Sequence, residues 1–205
     1  ADHVRLAPLA ALLALLVLLT IVMGRGQGLR ALMGLALSGL LIGGFMLPQI
    51  LAHRDPVLVS LSGTALLLAV TLYLIQGWNA IAHTSLIAVL ISLGFTGLLA
   101  IIWTQISHLT GFGSEETLYL QAVGVSVEMR GLLLAGMIVG MAGVLDDIVL
   151  AQAVTTFELF NVDRTLTRRE LYRRGMKIGL AHLASMINTL ILAYASTALP
   201  LMILF

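Results

Sequence analysis

Apolar residues run along this chain in long blocks rather than in alternation. The first covers about Leu6 to Met23, where Thr20 is the only polar side chain. A second runs from about Leu29 to Ile50, a third from Val57 to Gln76, and a fourth from His83 to Thr104. A fifth starts at Arg130-Gly131 and reaches Phe157 if unbroken, and a sixth runs from about Ile178 to the end. Each is about 18–27 residues long, enough at 1.5 Å per residue to cross a ~30 Å hydrocarbon core as a helix. The pattern predicts an all-α integral membrane protein with about six transmembrane helices.

Between the blocks lie short polar signals. Gly24-Arg-Gly-Gln-Gly-Leu-Arg30 reads as a glycine-rich turn with two positive charges. It lacks the strand and helix start of a nucleotide loop. His53-Arg-Asp-Pro56 and Gln76-Gly-Trp-Asn79 read as tight turns, with Trp78 and Trp103 at interfacial positions. Residues 105–128 hold Glu115, Glu116 and Glu128 and no basic residue. Residues 158–177 hold six basic residues and three acids. There, Thr167 followed by Glu170 fits a capping box and predicts one short amphipathic helix.

The basic segments at 24–30 and 158–177 fall on one side of a six-span topology and the acidic segment 105–128 on the other. The positive-inside rule makes the basic side cytoplasmic, 105–128 an extracytoplasmic loop, and both ends of the chain outward. Composition agrees: mean hydropathy is +1.06, 60% of residues are hydrophobic and 10% charged, where soluble domains carry about 25% charged residues. The 205 residues form a single transmembrane domain, 1–205, expected to be part of a longer chain because it begins Ala-Asp-His. A net charge of +1 without a basic stripe implies no nucleic-acid partner. The absence of cysteine removes disulfides and thiol chemistry.

The candidate chemistry sits in the fifth block. Asp146 and Asp147 stand side by side in an apolar run, behind Gly136, Gly140 and Gly143. A carboxylate at mid-membrane costs about 2.5–3.5 kcal/mol on insertion scales, so such residues mark ion or proton paths or are shielded by protein. On a helix, Gly136, Gly140, Gly143 and Asp147 share one face, a seam another helix can approach closely. The plainer reading makes the pair a cap, or a partner for the arginines of 158–177. In the sixth block His182, Ser185, Asn188, Thr189 and Ser196 form a polar stripe. His182 and Asn188, with Gln152, are expected beside the aspartates along a proton, ion or substrate pathway. Ordinary interhelical hydrogen bonding is the alternative, favoured for the hydroxyls. Two Asp, one His and one Asn are ligands suited to a hard divalent cation, but the spacing matches no metal motif and a metal stays unassigned. No cofactor is implied. His53, His83 and His108 lie near span ends and are expected at the interfaces. The arginines of 158–177 are expected to set topology and meet lipid headgroups.

The order of residues carries a resemblance. Arg130-Gly-Leu-Leu-Leu-Ala-Gly-Met-Ile-Val-Gly140, Gly143-Val-Leu-Asp-Asp147, Gln152 and Glu158-Leu159 resemble the YibE/F family of bacterial membrane proteins. So do Arg168-Arg-Glu-Leu171, Gly179-Leu-Ala-His182, Asn188 to Tyr194 and Leu199-Pro-Leu-Met-Ile-Leu-Phe205. The resemblance implies a multi-pass, permease-like protein of the bacterial inner membrane. It also implies an extracytoplasmic domain before this segment, further membrane sequence after it, and a basic residue after Trp78, where this chain has Ala80-Ile-Ala82.

Two functions follow as expectations. One is a secondary-transporter-like permease, proton- or cation-coupled through the Asp pair, with a small molecule or ion as substrate. The other is a structural or assembly subunit whose glycine seams dock further helices, in a homo-oligomer or a larger membrane complex. No Ser-His-Asp set and no phosphate-binding loop is present, so an enzyme is not expected.

Overall fold

A computed structural model describes residues 2–112, 119, 120, 122, 124 and 127–203. They are helical, with no strand among them. The order is α1 (Asp2–Leu41), a π-helical turn (Ile42–Met46), α2 (Leu47–Leu51), α3 (Pro56–Gln76), α4 (Ala80–Ile106), α5 (Met129–Val162) and α6 (Arg168–Ile203). Five helical stretches are long and apolar enough to cross a membrane: Pro8–Leu51, Pro56–Gln76, Ala80–Ile106, Met129–Val162 and Arg168–Leu199. The chain packs as two units, 1–143 and 144–205, with the change falling inside α5.

The first two expected spans are one helical element here. The glycine-rich linker is not an open turn: helix runs through it, and only Arg25 leaves helical geometry, at φ 46 and ψ −127. That residue makes an elbow. In a straight helix residues eight apart lie about 12 Å apart along the axis. Gly28 instead lies against the Thr20 backbone, so closely that a methyl group there would overlap the Thr20 carbonyl oxygen. Gly28 is therefore glycine because no side chain fits, whereas Gly24 and Gly26 border open space.

Beyond the elbow, α1 packs along α3, with Gly34 facing Thr71 and Ile75. The π-helical turn brings Met46 onto Gly63 of α3. Met46, Ile50, Val59 and Ala135 form a core, flanked by Ile42, Val127, Leu132 and Val139. α3 starts sharply because the Asp55 side chain accepts from the Val57 and Leu58 N–H groups, and Pro56 at the first position needs no partner. α3 ends at Gly77, whose φ of 76 suits a residue without Cβ. Asn79 then caps α4 by accepting from the Ala82 N–H at 2.8 Å. At this corner Trp78 stacks on Tyr73 with ring centroids 4.4 Å apart, and the Tyr73 hydroxyl meets His83 Nδ1 at 2.7 Å.

The unit thus has two ends. At one, a groove is lined by the elbow residues Met23, Gly24, Gln27 and Gly28 together with Ile75 and Gln76. At the other, a small polar cavity is lined by Ile50, His53, Arg54, Asp55, Pro56, Val127 and Glu128. Polar groups inside the unit are hydroxyls. Ser60 donates to the Val57 carbonyl at 2.9 Å and Thr71 to that of Leu67 at 2.8 Å. Thr64, Ser85 and Thr104 are buried with no partner for their oxygens among the described residues.

Two further expectations change. Residues 158–177 are not a loop with a separate short helix. α5 continues to Val162, α6 begins at Arg168, and only 163–167 are non-helical. The composition explains this: Glu, Leu and Arg are good helix formers, and helices need not stop where the apolar run does. The expected loop 105–128 loses its first two residues to α4, and residues 113–118, 121, 123, 125 and 126 lie outside the described residues.

The elbow gives a stability test. Gly28→Ala forces the Thr20 backbone to move, an overpacking that costs about 1–3 kcal/mol. At about 2–4 °C per kcal/mol for a chain this size, thermal unfolding in detergent is expected to fall by several degrees. Gly24→Ala, which meets open space, is expected to leave it unchanged or slightly raised.

Candidate functional site

α5 carries Asp146 and Asp147 without interruption. The helix that the sequence allows either to continue or to break at the pair continues to Val162. Asp146 lies about 25 Å along it from Met129. The two carboxyls differ in setting. Asp146 is half-buried, and its Oδ1 is buried with no hydrogen-bond partner among the described residues. Asp147 is exposed. The buried member is thus not the one on the Gly136/Gly140/Gly143 face.

Among the described residues, nothing packs onto that glycine face. A methyl group added at Gly136, Gly140 or Gly143 would meet nothing within 4 Å. The close helix contact lies elsewhere, in the second unit. Gly175 and Gly179, one turn apart on α6, receive the α5 side chains of Gln152 and Thr156. A Cβ at Gly175 would stand 3.3 Å from Gln152 Nε2 and 3.4 Å from Thr156 Oγ1. At Gly179 it would collide with Gln152 Oε1. The Thr156 hydroxyl donates to the Gln152 carbonyl at 2.8 Å. Gln152, expected on a pathway, is here the side chain filling the space the two glycines leave. The signal was present in the sequence as Gly175-Met-Lys-Ile-Gly179, the small-xxx-small spacing of closely crossing helices. Basic neighbours hid it.

The polar stripe of α6 divides. Thr189 donates to the Ser185 carbonyl at 3.1 Å and Ser196 to that of Ala193 at 2.7 Å, so both hydroxyls are satisfied on their own helix. His182 and Asn188 are exposed, and no side-chain hydrogen bond joins either to an aspartate among the described residues. No group of three or more His, Asp or Glu suited to a metal occurs among the described residues.

The turn between α5 and α6 is built by two carboxylates outside the apolar runs. Asp163 accepts from the Thr165 N–H at 3.1 Å and from its hydroxyl. Glu170 accepts from the Thr167 hydroxyl at 2.8 Å and its N–H at 3.1 Å, while Thr167 Oγ1 accepts from the Glu170 N–H at 3.3 Å. This reciprocal pair is the capping box expected from the sequence. The Thr165 hydroxyl and N–H hold the Asp163 carboxyl below its ordinary range, with Arg174 adding a smaller attraction. The Thr167 hydroxyl and N–H do the same for Glu170, with Arg174 and Arg173 contributing less.

With this geometry in place, comparison with protein families gives one result. A family model described as YibE/F-like protein matches residues 12–205. The chain belongs to the YibE/F-like family. Comparison with curated proteins and with solved structures finds no match. The motifs quoted above for the YibE/F resemblance all lie inside the matched span.

Two tests follow. Gly179→Ala is expected to destabilise the second unit, and Gln152→Ala to relieve most of that loss. A double-mutant cycle read by thermal unfolding should show coupling of about 0.5–3 kcal/mol, and additive effects would mean the two do not touch. The turn should also respond to acid. Both folded carboxyls titrate below their unfolded values, so their support is complete above the ordinary carboxylate range and fades as pH falls through the folded values. A spin label on a cysteine at Leu166 is expected to gain mobility on acidification, and Glu170→Ala to show that mobility already near neutral pH.

Proposed function

We propose that this YibE/F-like chain is the membrane domain of a permease that moves a small solute or ion, coupled to protons or a cation through Asp146 and Asp147. The observation that carries the reading is the Asp146 carboxyl, half-buried in an apolar helix with an oxygen lacking a partner. A carboxyl in such a place favours binding a proton or a cation, and an ionisable residue kept within a membrane helix is a functional one by default. His182 and Asn188 line the path in this reading, Gln152 seats α6 against α5 beside them, and the Gly136/Gly140/Gly143 face is left for a further helix. The chain is not an enzyme on this reading.

The proposed topology has six crossings. Pro8–Leu51 is 44 residues, about 66 Å as a straight helix and twice a ~30 Å core. The elbow at Arg25 supports counting it as two. The elbow and the Gly77–Asn79 turn share one end of the first unit, and the 53–56 segment shares the other with the start of α5, as alternation requires. The basic residues of 24–30 and 164–177 then favour that side as cytoplasmic, in a bacterial plasma membrane.

A second reading rests on the same open glycines. Three glycines on one face with no described residue within 4 Å of an added Cβ suit a chain that docks helices in an assembly without moving a solute. One measurement separates the two. Single cysteines at Gly143, Asp147, Ala151 and His182 stand out against a cysteine-free background. Labelling by a membrane-impermeant thiol reagent in intact and everted vesicles is expected at Asp147 and at least one other position, with access changing between the two orientations. Protection at all four would overturn the permease reading in favour of assembly.

A further inference from the structure

α6 begins as a charged helix and becomes an apolar one without a break. Its first turns carry Arg168, Arg169, Arg173, Arg174 and Lys177, and from Ile178 to Ile203 its 26 residues contain no Asp, Glu, Lys or Arg. Those 26 residues span about 39 Å, more than a ~30 Å core, so the charged turns stand in the headgroup region.

The charges are not spread evenly. At 100° per residue, Arg169, Arg173, Arg174 and Lys177 fall within an arc of about 140° that also holds Glu170, while Arg168 stands on the opposite side. Gly175 and Gly179, which receive Gln152 and Thr156, lie near the centre of the opposite face. The cationic face is therefore the one turned away from α5, and all four side chains on it are exposed. Arg169, Arg173 and Lys177 form a line at i, i+4, i+8, rising about 12 Å from water toward the apolar boundary.

Two features favour an anion from outside beside Arg169 and Lys177. Arg168 and Arg169 stand in the first turn of the helix, where the positive end of the macrodipole disfavours cations. The nearby carboxylates, Asp163 and Glu170, attract Arg174 and Arg173, and neither attraction reaches Arg169 or Lys177. A phosphate beside the line would relieve both the mutual repulsion and the dipole. Arginine presents a planar fork that matches phosphate oxygens, and Lys177, deepest on the line, has an alkyl stem that can lie in the apolar zone with its ammonium at the surface.

We propose that the Arg169–Arg173–Lys177 face of α6 is a binding site for the phosphate headgroup of anionic phospholipid in the adjoining leaflet. The site is independent of the transport reading and stands whether or not the chain moves a solute.

The test uses the full chain in neutral detergent and thermal unfolding. Phosphatidylglycerol is expected to raise the unfolding temperature by about 5–10 °C at a hundredfold excess over its dissociation constant. Phosphatidylcholine is expected to raise it much less, and inorganic phosphate at matched concentration not at all. R169Q/R173Q/K177Q is expected to lose at least half of the phosphatidylglycerol shift, and R130Q to keep it. An equal shift with phosphatidylcholine, the same shift with inorganic phosphate, or a full shift in the triple variant overturns the proposal. If the triple variant does not fold, R173Q is measured by native mass spectrometry. Fewer phosphatidylglycerol molecules retained than on the unsubstituted chain supports the site, and an equal number overturns it.

Discussion

A backbone N–H or carbonyl in hydrocarbon finds no water, so each must be paired within its own segment. That constraint leaves helices as the building element here, and it also governs the side chains. Ser60, Thr71, Thr156, Thr189 and Ser196 all return their hydroxyl hydrogens to carbonyls three or four residues back on the same helix. A hydroxyl treated this way is polar in name only, and it packs like a small apolar side chain. The carboxyl of Asp146 has no equivalent escape, because an acceptor gains nothing from a helix carbonyl. This asymmetry separates Asp146 from Ser60, Thr71, Thr156, Thr189 and Ser196, while Thr64, Ser85 and Thr104 share its lack of a partner among the described residues.

With little hydrophobic force between helices inside a bilayer, adhesion comes from close packing, and glycine is the residue that allows it. The chain has 20 glycines, but they are not equivalent. Gly28, Gly63, Gly175 and Gly179 each stand where a Cβ would press on a neighbour, and each marks a real contact: Thr20, Met46 and Gln152 are the partners. Gly39, Gly43, Gly136, Gly140 and Gly143 border open space. The two sets cannot be told apart by spacing alone, since both contain i, i+4 pairs.

Much of the architecture was legible because apolar block length is so direct a signal. α3 and α4 begin and end within a few residues of where the blocks and the turn residues Asp55, Pro56, Gly77 and Asn79 place them. The Thr167–Glu170 cap was legible for the same local reason. What was not legible depended on geometry between segments. Gly24 and Gly26 suggest a flexible linker, yet the bend is concentrated in the residue between them, because Gly28 has to reach Thr20. The glycine seam was assigned to 136–143 because the aspartates draw attention there, while the contact at 175–179 lies in a stretch that its arginines make look like a loop. Which aspartate is the sheltered one also depended on packing, since one helical step turns a side chain by about 100°.

The sixth helix joins these strands of argument. One of its faces near the start is small, to admit Gln152 and Thr156, and the opposite face is cationic. A helix with Gly175 and Gly179 on one side and Arg169, Arg173, Arg174 and Lys177 on the other loses either the α5 contact or the polar environment of those four charges when it turns about its axis. Packing at Gly175 and Gly179 sets the orientation of α6 about its axis at its charged end, and the proposed headgroup contact would hold it the same way. His182, three residues beyond Gly179, and Asn188 further along inherit that orientation. Their direction is set by the glycines and the basic residues below them, and any role they have with Asp146 and Asp147 depends on that anchoring.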